Sequence, residues 1–341
     1  MTQKLTIKSV AKEAGVAVGT VSRVLNKHPA VDKAIREKVE AAIAQLGYQP
    51  NLLARSMRQQ KSMTIGCIIR DISIPALAAF AKSAQNALFD ADYSFVVGSS
   101  EGQVDREEKL VRRFADAQID GLLLSLTTEV DLPYLQTLRD SRLPIVLIDR
   151  EGPAWADAVV ANHESGTRQA VNYLVQLGHK RIALITGSDN TFPARARLKG
   201  YLTALRENGV EPDARLIRNM SYLPEYAFSE LSALLGQKKP PTAVVAGGMD
   251  MMPGILTAIR NSGLEIPQDI SVVAASDNDL VRLSAPPIGV VTWDLGEVGR
   301  IGARLLLSSI CERNVERERN LVIVPTEFLP RSSCATARQV S

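Results

Sequence analysis

The chain has 341 residues, 45% of them apolar and 23% charged, which supports two or three packed units. No apolar run approaches the roughly 18 residues of a membrane span, and the N-terminal "MTQKLTIKSVAKEAG" has no apolar core of an export signal. The net charge of +3 hides an asymmetry: residues 1–62 carry 11 Lys/Arg against 4 Asp/Glu, while the rest carry 29 against 33, so a basic head that meets a polyanion is expected.

The head reads as short helices. Thr6 can cap a first helix that turns Ile7, Val10 and Ala11 inward, and Gly15 ends it. A second helix runs from about Ala17 to Leu25, with Val21, Val24 and Leu25 on one side. A third opens at Asp32 and closes at Gly47, with Ile35, Val39, Ala42, Ile43 and Leu46 at helical spacing. Pro50-Asn51 then breaks the pattern before a short basic segment.

From Met63 the pattern changes. Continuous apolar runs recur, among them "MTIGCII", "GLLLSL", "PIVLID", "RIALITG", "TAVVAG" and "DISVVAA". Stretches of helical periodicity separate most of them. Strands buried on both faces and alternating with helices imply βαβ units in open, doubly wound parallel sheets. The runs are too many for one sheet, so two similar subdomains are expected. The chain should cross between them near Asn162, Thr292 and Leu321. Subdomain 1 then holds about 63–161 and 292–320, and subdomain 2 about 162–291 and 321–341.

Two helices joined by a tight glycine turn, the second with a polar outward face, form a helix–turn–helix pattern. Val18 and Gly19 stand at the start of the second helix, where a small or apolar residue can approach base edges and touch a thymine methyl. Arg23, one turn on, can bond a guanine edge through two donors. Thr20, Ser22 and Asn26 are the size for phosphate contacts. The three cysteines, Cys67, Cys311 and Cys334, have no paired spacing, and the three histidines are dispersed. A disulfide framework or zinc site is therefore not expected, nor any other metal or cofactor.

The head "TIKSVAKEAGVAVGTVSRVLN…VDKAIREKVEAAIAQLGYQPNLLARSM" closely resembles the LacI/GalR family of bacterial transcription regulators. The resemblance continues through "LGHKRIALITG", "ARLKGYLTAL", "IPQDISVV" and "APPIGVVTWD…VGRIGARLLL". It implies a helix–turn–helix domain over 1–50, a hinge helix or linker over 51–62, and a core over 63–341 that binds effector and dimerises. That core would have the periplasmic sugar-binding-protein fold. The resemblance also implies a homodimer on double-stranded DNA at a near-palindromic operator, with further DNA contacts from Thr6, Tyr48, Asn51 and Arg55. Met57 stands where the family places a leucine wedge in the minor groove.

By the same resemblance Asp149, ending "PIVLID", and Arg197, opening "RLKGY", match polar pocket residues, and Tyr222 falls where relatives have an aromatic. Elsewhere the pattern departs. The strand after Ile270 ends Ala274-Ala275-Ser276, with Asp277 one place late against the family's Gly-aromatic-Asp. Gly248-Met249 replaces Asn-Asp, Ile74-Pro75-Ala76-Leu77 replaces Asn-Pro-Phe-Phe, and Trp293 stands where glutamine is common. Asp149, Arg197, Tyr222, Met249, Ser276 and Trp293 are therefore the expected effector-binding set, poorer in carboxylates and amides than a typical sugar pocket.

The expected function is a cytoplasmic DNA-binding regulator, a repressor, whose operator affinity is set by a small-molecule effector, a sugar or sugar derivative. A solute-binding protein for uptake would leave the basic head unexplained. A sugar-active enzyme lacks a catalytic constellation, and no dinucleotide fingerprint or P-loop is present. "GSSEG", Gly98 to Gly102, fits G-x-S-x-G, but its loop continues where a nucleophile elbow should enter a helix. Residues 328–341 are short, proline-broken and without heptads, so a dimer rather than a tetramer is expected.

Overall fold

The computed structural model describes residues 5–25, 28–48, 61–312 and 318–338. Two compact units divide at residue 62, Met1–Ser62 and Met63–Ser341.

In the first unit three helices, α1 (Ile7–Ala14), α2 (Val18–Leu25) and α3 (Lys33–Leu46), close around one small core. Thr6 caps α1, its N–H donating to Ser9 Oγ at 3.3 Å. Gly15 ends α1 at φ 66° and Gly47 ends α3 at φ 60°, left-handed positions that glycine adopts without strain. Asp32 caps α3 by accepting from Ala34 N at 2.9 Å. Val10, Ala11, Val21, Val24, Val39 and Ala42 are buried together. Ile35 belongs to the helical stripe by spacing but sits in the first turn of α3 and is exposed.

The second unit is built from two six-stranded sheets among the described residues. The strands are β1 (Thr64–Ile69), β2 (Ser94–Ser99), β3 (Gly121–Leu124), β4 (Ile145–Ile148), β5 (Asp157–Ala161) and β6 (Ile182–Gly187). They continue as β7 (Ile217–Met220), β8 (Ala243–Ala246), β9 (Ser271–Ala275), β10 (Gly289–Thr292), β11 (Leu321–Val324) and β12 (Glu327–Leu329). The first sheet is parallel throughout, in the order β11-β5-β4-β3-β1-β2. The second, β12-β10-β9-β8-β6-β7, is parallel except for β12, which runs antiparallel to β10. Each sheet carries apolar clusters on both faces, which is why its central strands are uninterrupted apolar runs. This is the expected pair of doubly wound sheets.

The chain leaves the first sheet at Asn162, whose side chain accepts from Ser165 N and caps the helix His163–Gln176. It leaves the second at Thr292, and Asp294 caps the helix Leu295–Cys311, which packs on β3, β4 and β5. The third crossing differs from the expectation near Leu321. Residues 321–324 pair with β5, Leu321 opposite Ala158 and Val324 opposite Ala161, so the chain crosses only between Val324 and Glu327. The helix Leu295–Cys311 lies on the first sheet, so the chain re-enters at that sheet's edge before it crosses.

Beyond β12 the chain is woven into the second subdomain. Ser333 is fully buried, donating to Val272 O at 2.6 Å and accepting from Gly289 N at 2.8 Å. Ala337 N donates to Leu177 O at 2.8 Å. No helix of the described residues is long and apolar enough to cross a membrane.

Candidate functional site

Helix α2 has two faces. Val21 and Val24 are buried in the head, while Val18, Gly19 and Arg23 are exposed and Thr20 and Ser22 half-buried. The Ala17 carbonyl starts the helix by accepting from Thr20 N at 2.9 Å. A Cβ at Gly19 would meet nothing within 4 Å. Nothing inside the head requires glycine there, although glycine costs a helix interior about 1 kcal/mol relative to alanine. Thr6 is exposed at the start of α1, and Tyr48 is half-buried against the head core. Asn26, Asn51, Arg55 and Met57 lie outside the described residues.

In the second unit the carboxyl ends of the strands open into a cleft. Ile69 and Arg70 reach it from β1, Ile148, Asp149 and Arg150 from β4, Gly248 and Met249 from beyond β8, and Trp293 from just after β10. Arg197 and Tyr222 also line it. Ligands of open α/β sheets bind at such ends because the loops there can vary while the strands hold their positions.

Five of the six expected effector residues therefore meet in one cleft: Asp149, Arg197, Tyr222, Met249 and Trp293. Ser276 does not. It is buried at the end of β9 and absent from the lining. The carboxylate that follows it is also spent elsewhere: Asp277 accepts from Arg331 Nη2 at 2.8 Å and pairs with Arg282 at 3.0 Å. The one-residue delay of that aspartate turns it toward its own subdomain.

His163 joins the lining residues into a network. Its Nε2 lies 2.8 Å from Asp149 Oδ1, and Arg197 Nη2 lies 3.2 Å from its Nδ1. A guanidinium only donates, so Nδ1 accepts and Nε2–H donates to the carboxylate. Burial, then the Arg197 charge, pushes the imidazole pKa down, and His163 stays neutral. Burial opposes ionisation of Asp149. The interaction with His163, then the charges of Arg197 and Arg150, outweigh it and hold the carboxyl below its usual range.

Tyr222 packs where two glycines make room. A Cβ on Gly187 would stand 2.1 Å from its ring, and one on Gly248 would stand 2.9 Å from it. This explains why the chain has glycine at 248. Arg197 lies 6.0 Å from the Tyr222 ring centroid. Trp293 is half-buried, lining the cleft while its body packs on the apolar cluster of the first sheet. Ile74 and Leu77 line the apolar side.

Sequence reasoning missed Arg70, Arg150 and His163. Arg150 is buried, Nε donating to Leu126 O at 2.6 Å and Nη1 to Asp149 O at 2.7 Å. The positions of Arg70 and Arg150, at the ends of β1 and β4, were a usable signal. The partners of His163 were not, because Asp149 and Arg197 are remote from it in sequence. Ser100 of "GSSEG" is fully buried, its hydroxyl 3.3 Å from Thr127 Oγ1 and bonded by Gly102 N. That is a loop bond, with no nucleophile presented. Among the described residues no group of His, Cys, Asp and Glu could hold a metal ion.

One acidic side chain bridges the subdomains. Glu129, in the loop after β3, accepts from Gly152 N at 2.7 Å and from Phe192 N at the start of the helix Phe192–Glu207. Its own N–H donates to Asn190 O at 2.9 Å, and Arg195 stands 3.5 Å from the carboxylate.

Comparison with known proteins agrees with both units. The profile of bacterial regulatory proteins, lacI family, matches residues 6–51, and that of a periplasmic binding protein-like domain matches residues 171–334. The ribose operon repressor of Escherichia coli (strain K12) is 33% identical over 322 residues, 92% of this chain and 96% of that protein. The repressor PurR of Erwinia tasmaniensis is 31% identical, covering 96% of each chain. In structure, the lac repressor dimer bound to operator and the anti-inducer ONPF superposes with a TM-score of 0.83 at 28% identity, covering 98% of this chain and all of that one. The regulator CelR in complex with cellobiose gives 0.72 at 29% identity, covering 97% of this chain and all of its own. With a helix–turn–helix head, a two-sheet core and this likeness over nearly its whole length, the chain belongs to the lacI family of bacterial regulatory proteins.

Proposed function

We propose that the protein is a cytoplasmic repressor that reads a near-palindromic operator as a homodimer and is controlled by a sugar or sugar derivative held in the cleft. In this reading Val18, Gly19 and Arg23 meet base edges, while Thr6, Thr20, Ser22, Asn26, Tyr48, Asn51 and Arg55 position the head on the backbone. Met57, within a hinge of residues 51–62, opens a base step. Asp149, Arg197, Tyr222, Met249 and Trp293 hold the effector. Ligand binding changes how the two subdomains close, and operator and effector affinities are reciprocally coupled.

The observation that carries this reading is the cleft itself: five of the expected effector residues converge at the strand ends of a core whose chain opens with a helix–turn–helix. Selection of bound fragments from genomic DNA at two salt concentrations tests it. A recovered palindromic motif, with affinity falling steeply as salt rises, is the expected outcome. Uniform binding to all fragments, or none, overturns it.

A further inference from the structure

The cleft is rich in donors and poor in acceptors. Three guanidinium groups line it, Arg70, Arg150 and Arg197, against one carboxylate, Asp149. Asp149 already accepts from His163 and lies beside Arg197's own partner. Arg197 is turned to His163 and Tyr222. Arg150 spends Nε and Nη1 on backbone carbonyls, leaving Nη2 without a hydrogen bond among the described residues.

Arg70 is different again. It follows the last residue of β1, and a Cβ on Gly102 would stand 3.8 Å from its stem. It is half-buried, and its guanidinium makes no hydrogen bond or ion pair among the described residues. Asp250 and Asp71 act on it only electrostatically, and Arg150 acts against it as a like charge. The charges of Asp250 and Asp71 favour the ionised Arg70 without bonding it, so its guanidinium donors stay free for an anion that enters the cleft. Apart from the hydroxyls of Ser125 and Tyr222, the lining offers a neutral polyol few further acceptors: Met249 is a thioether, Ile74 is apolar, and Asp277 is paired with Arg331 and Arg282.

We propose that the effector of this cleft carries an anionic oxyacid group, a carboxylate or a phosphate, and that Arg70 is the specificity-determining residue that pairs with it. Arg150 Nη2 supplies a second donor, and a planar guanidinium offers two parallel bonds to such a group. The Trp293 and Ile74 side of the cleft takes the uncharged body of the same molecule. The proposal rests on the reading of the cleft as the effector site and adds the charge of what enters it.

The test uses the full chain at constant ionic strength, set with chloride. D-glucose, D-glucuronate, D-glucose 6-phosphate and inorganic phosphate are titrated while tryptophan fluorescence and the unfolding midpoint are recorded. The acid or phosphate compounds are expected to give a saturable response that their neutral parent does not. A response to glucuronate alone assigns the carboxylate, and one to the two phosphates alone assigns the phosphate. Arg70→Gln should weaken the response at least about tenfold, the loss of one charge-assisted bond. Arg70→Lys should recover part of it, and the exposed Arg168→Gln should match the parent protein. The unliganded midpoint of each variant reports its folding. A response to D-glucose that survives Arg70→Gln but not Arg197→Ala overturns the proposal and leaves the cleft reading intact. Anion binding undiminished by Arg70→Gln, or no response to any compound, overturns it as well.

Discussion

The His163 imidazole and the Trp293 indole meet edge to face, with centroids 4.8 Å apart and planes at 88°. The imidazole is fully buried and bonded on both nitrogens, so the indole rests on a fixed polar support. The two residues come from opposite sides of the crossings between the sheets: His163 begins the helix after β5, and Trp293 follows β10. Any change in the cleft that moves one ring is felt by the other.

The network predicts an acid-sensitive core. Burial depresses the pKa of His163 in the folded chain, and the same holds for His179, while the unfolded chain keeps the ordinary value of about 6.5. Below that value the unfolded state binds protons that the folded state refuses, so stability is full above it and falls as the pH drops through it. The unfolding midpoint should decline between about pH 7.5 and pH 5.5. His163→Gln should flatten part of the slope, with His179 supplying the rest. An unchanged slope in that variant removes His163 from the account.

Gly187 should not tolerate a side chain. Its Cβ would lie 2.1 Å from the Tyr222 ring, a distance no rotamer adjustment absorbs without moving the ring. Gly187→Ala is expected to cost about 1–3 kcal/mol in urea unfolding, the scale of overpacking a dense interior. Gly19→Ala is the contrast: its Cβ meets open space, so head stability should hold or rise slightly while operator binding falls. If Gly19→Ala binds operator as well as the parent, close approach is not the reason for glycine there.

Arg23 is exposed one turn along α2 from Gly19. Arg23→Ala should cost about 1–3 kcal/mol of operator affinity and relax preference at one symmetric base pair per half-site. A binding-site selection with the variant reads this directly. Full retained selectivity would falsify the assignment.

Glu129 should act as a latch. Its carboxylate accepts from backbone N–H groups on both subdomains, Gly152 and Phe192. Glu129→Ala leaves both donors without that acceptor and should destabilise the core by about 1–3 kcal/mol per unmet group. Small-angle scattering should show a larger radius of gyration, because the cleft opens. A variant as compact and stable as the parent shows that water or neighbouring groups replace the carboxylate.

Assembly should stop at the dimer. The segment after β12 is bonded into the second subdomain through Ser333 and Ala337, and a twofold dimer matches a near-palindromic site. Light scattering at micromolar concentration should return twice the monomer mass. A stable tetramer contradicts this.

Local rules were enough to read the head and the layered core from the sequence. Gly15 and Gly47 mark helix ends because glycine is at ease at positive φ, and Val39 and Ala42 share one helical face because 3.6 residues make a turn. Runs such as Leu122-Leu123-Leu124 are uninterrupted because both faces of a parallel strand are buried. Family resemblance then led to Asp149 and Arg197, and both line the cleft. What no local rule contains is partner choice. "LVIV" joins β5 rather than the second sheet because the preceding helix returns the chain to that edge. Asp277 is lost to the cleft because Arg331, 54 residues away, reaches it. His163 enters the site because Asp149 and Arg197, on different elements, stand on either side of its ring. Periodicity records which face of an element is buried. The cleft is made by contacts between elements far apart in the chain, and only the folded arrangement decides them.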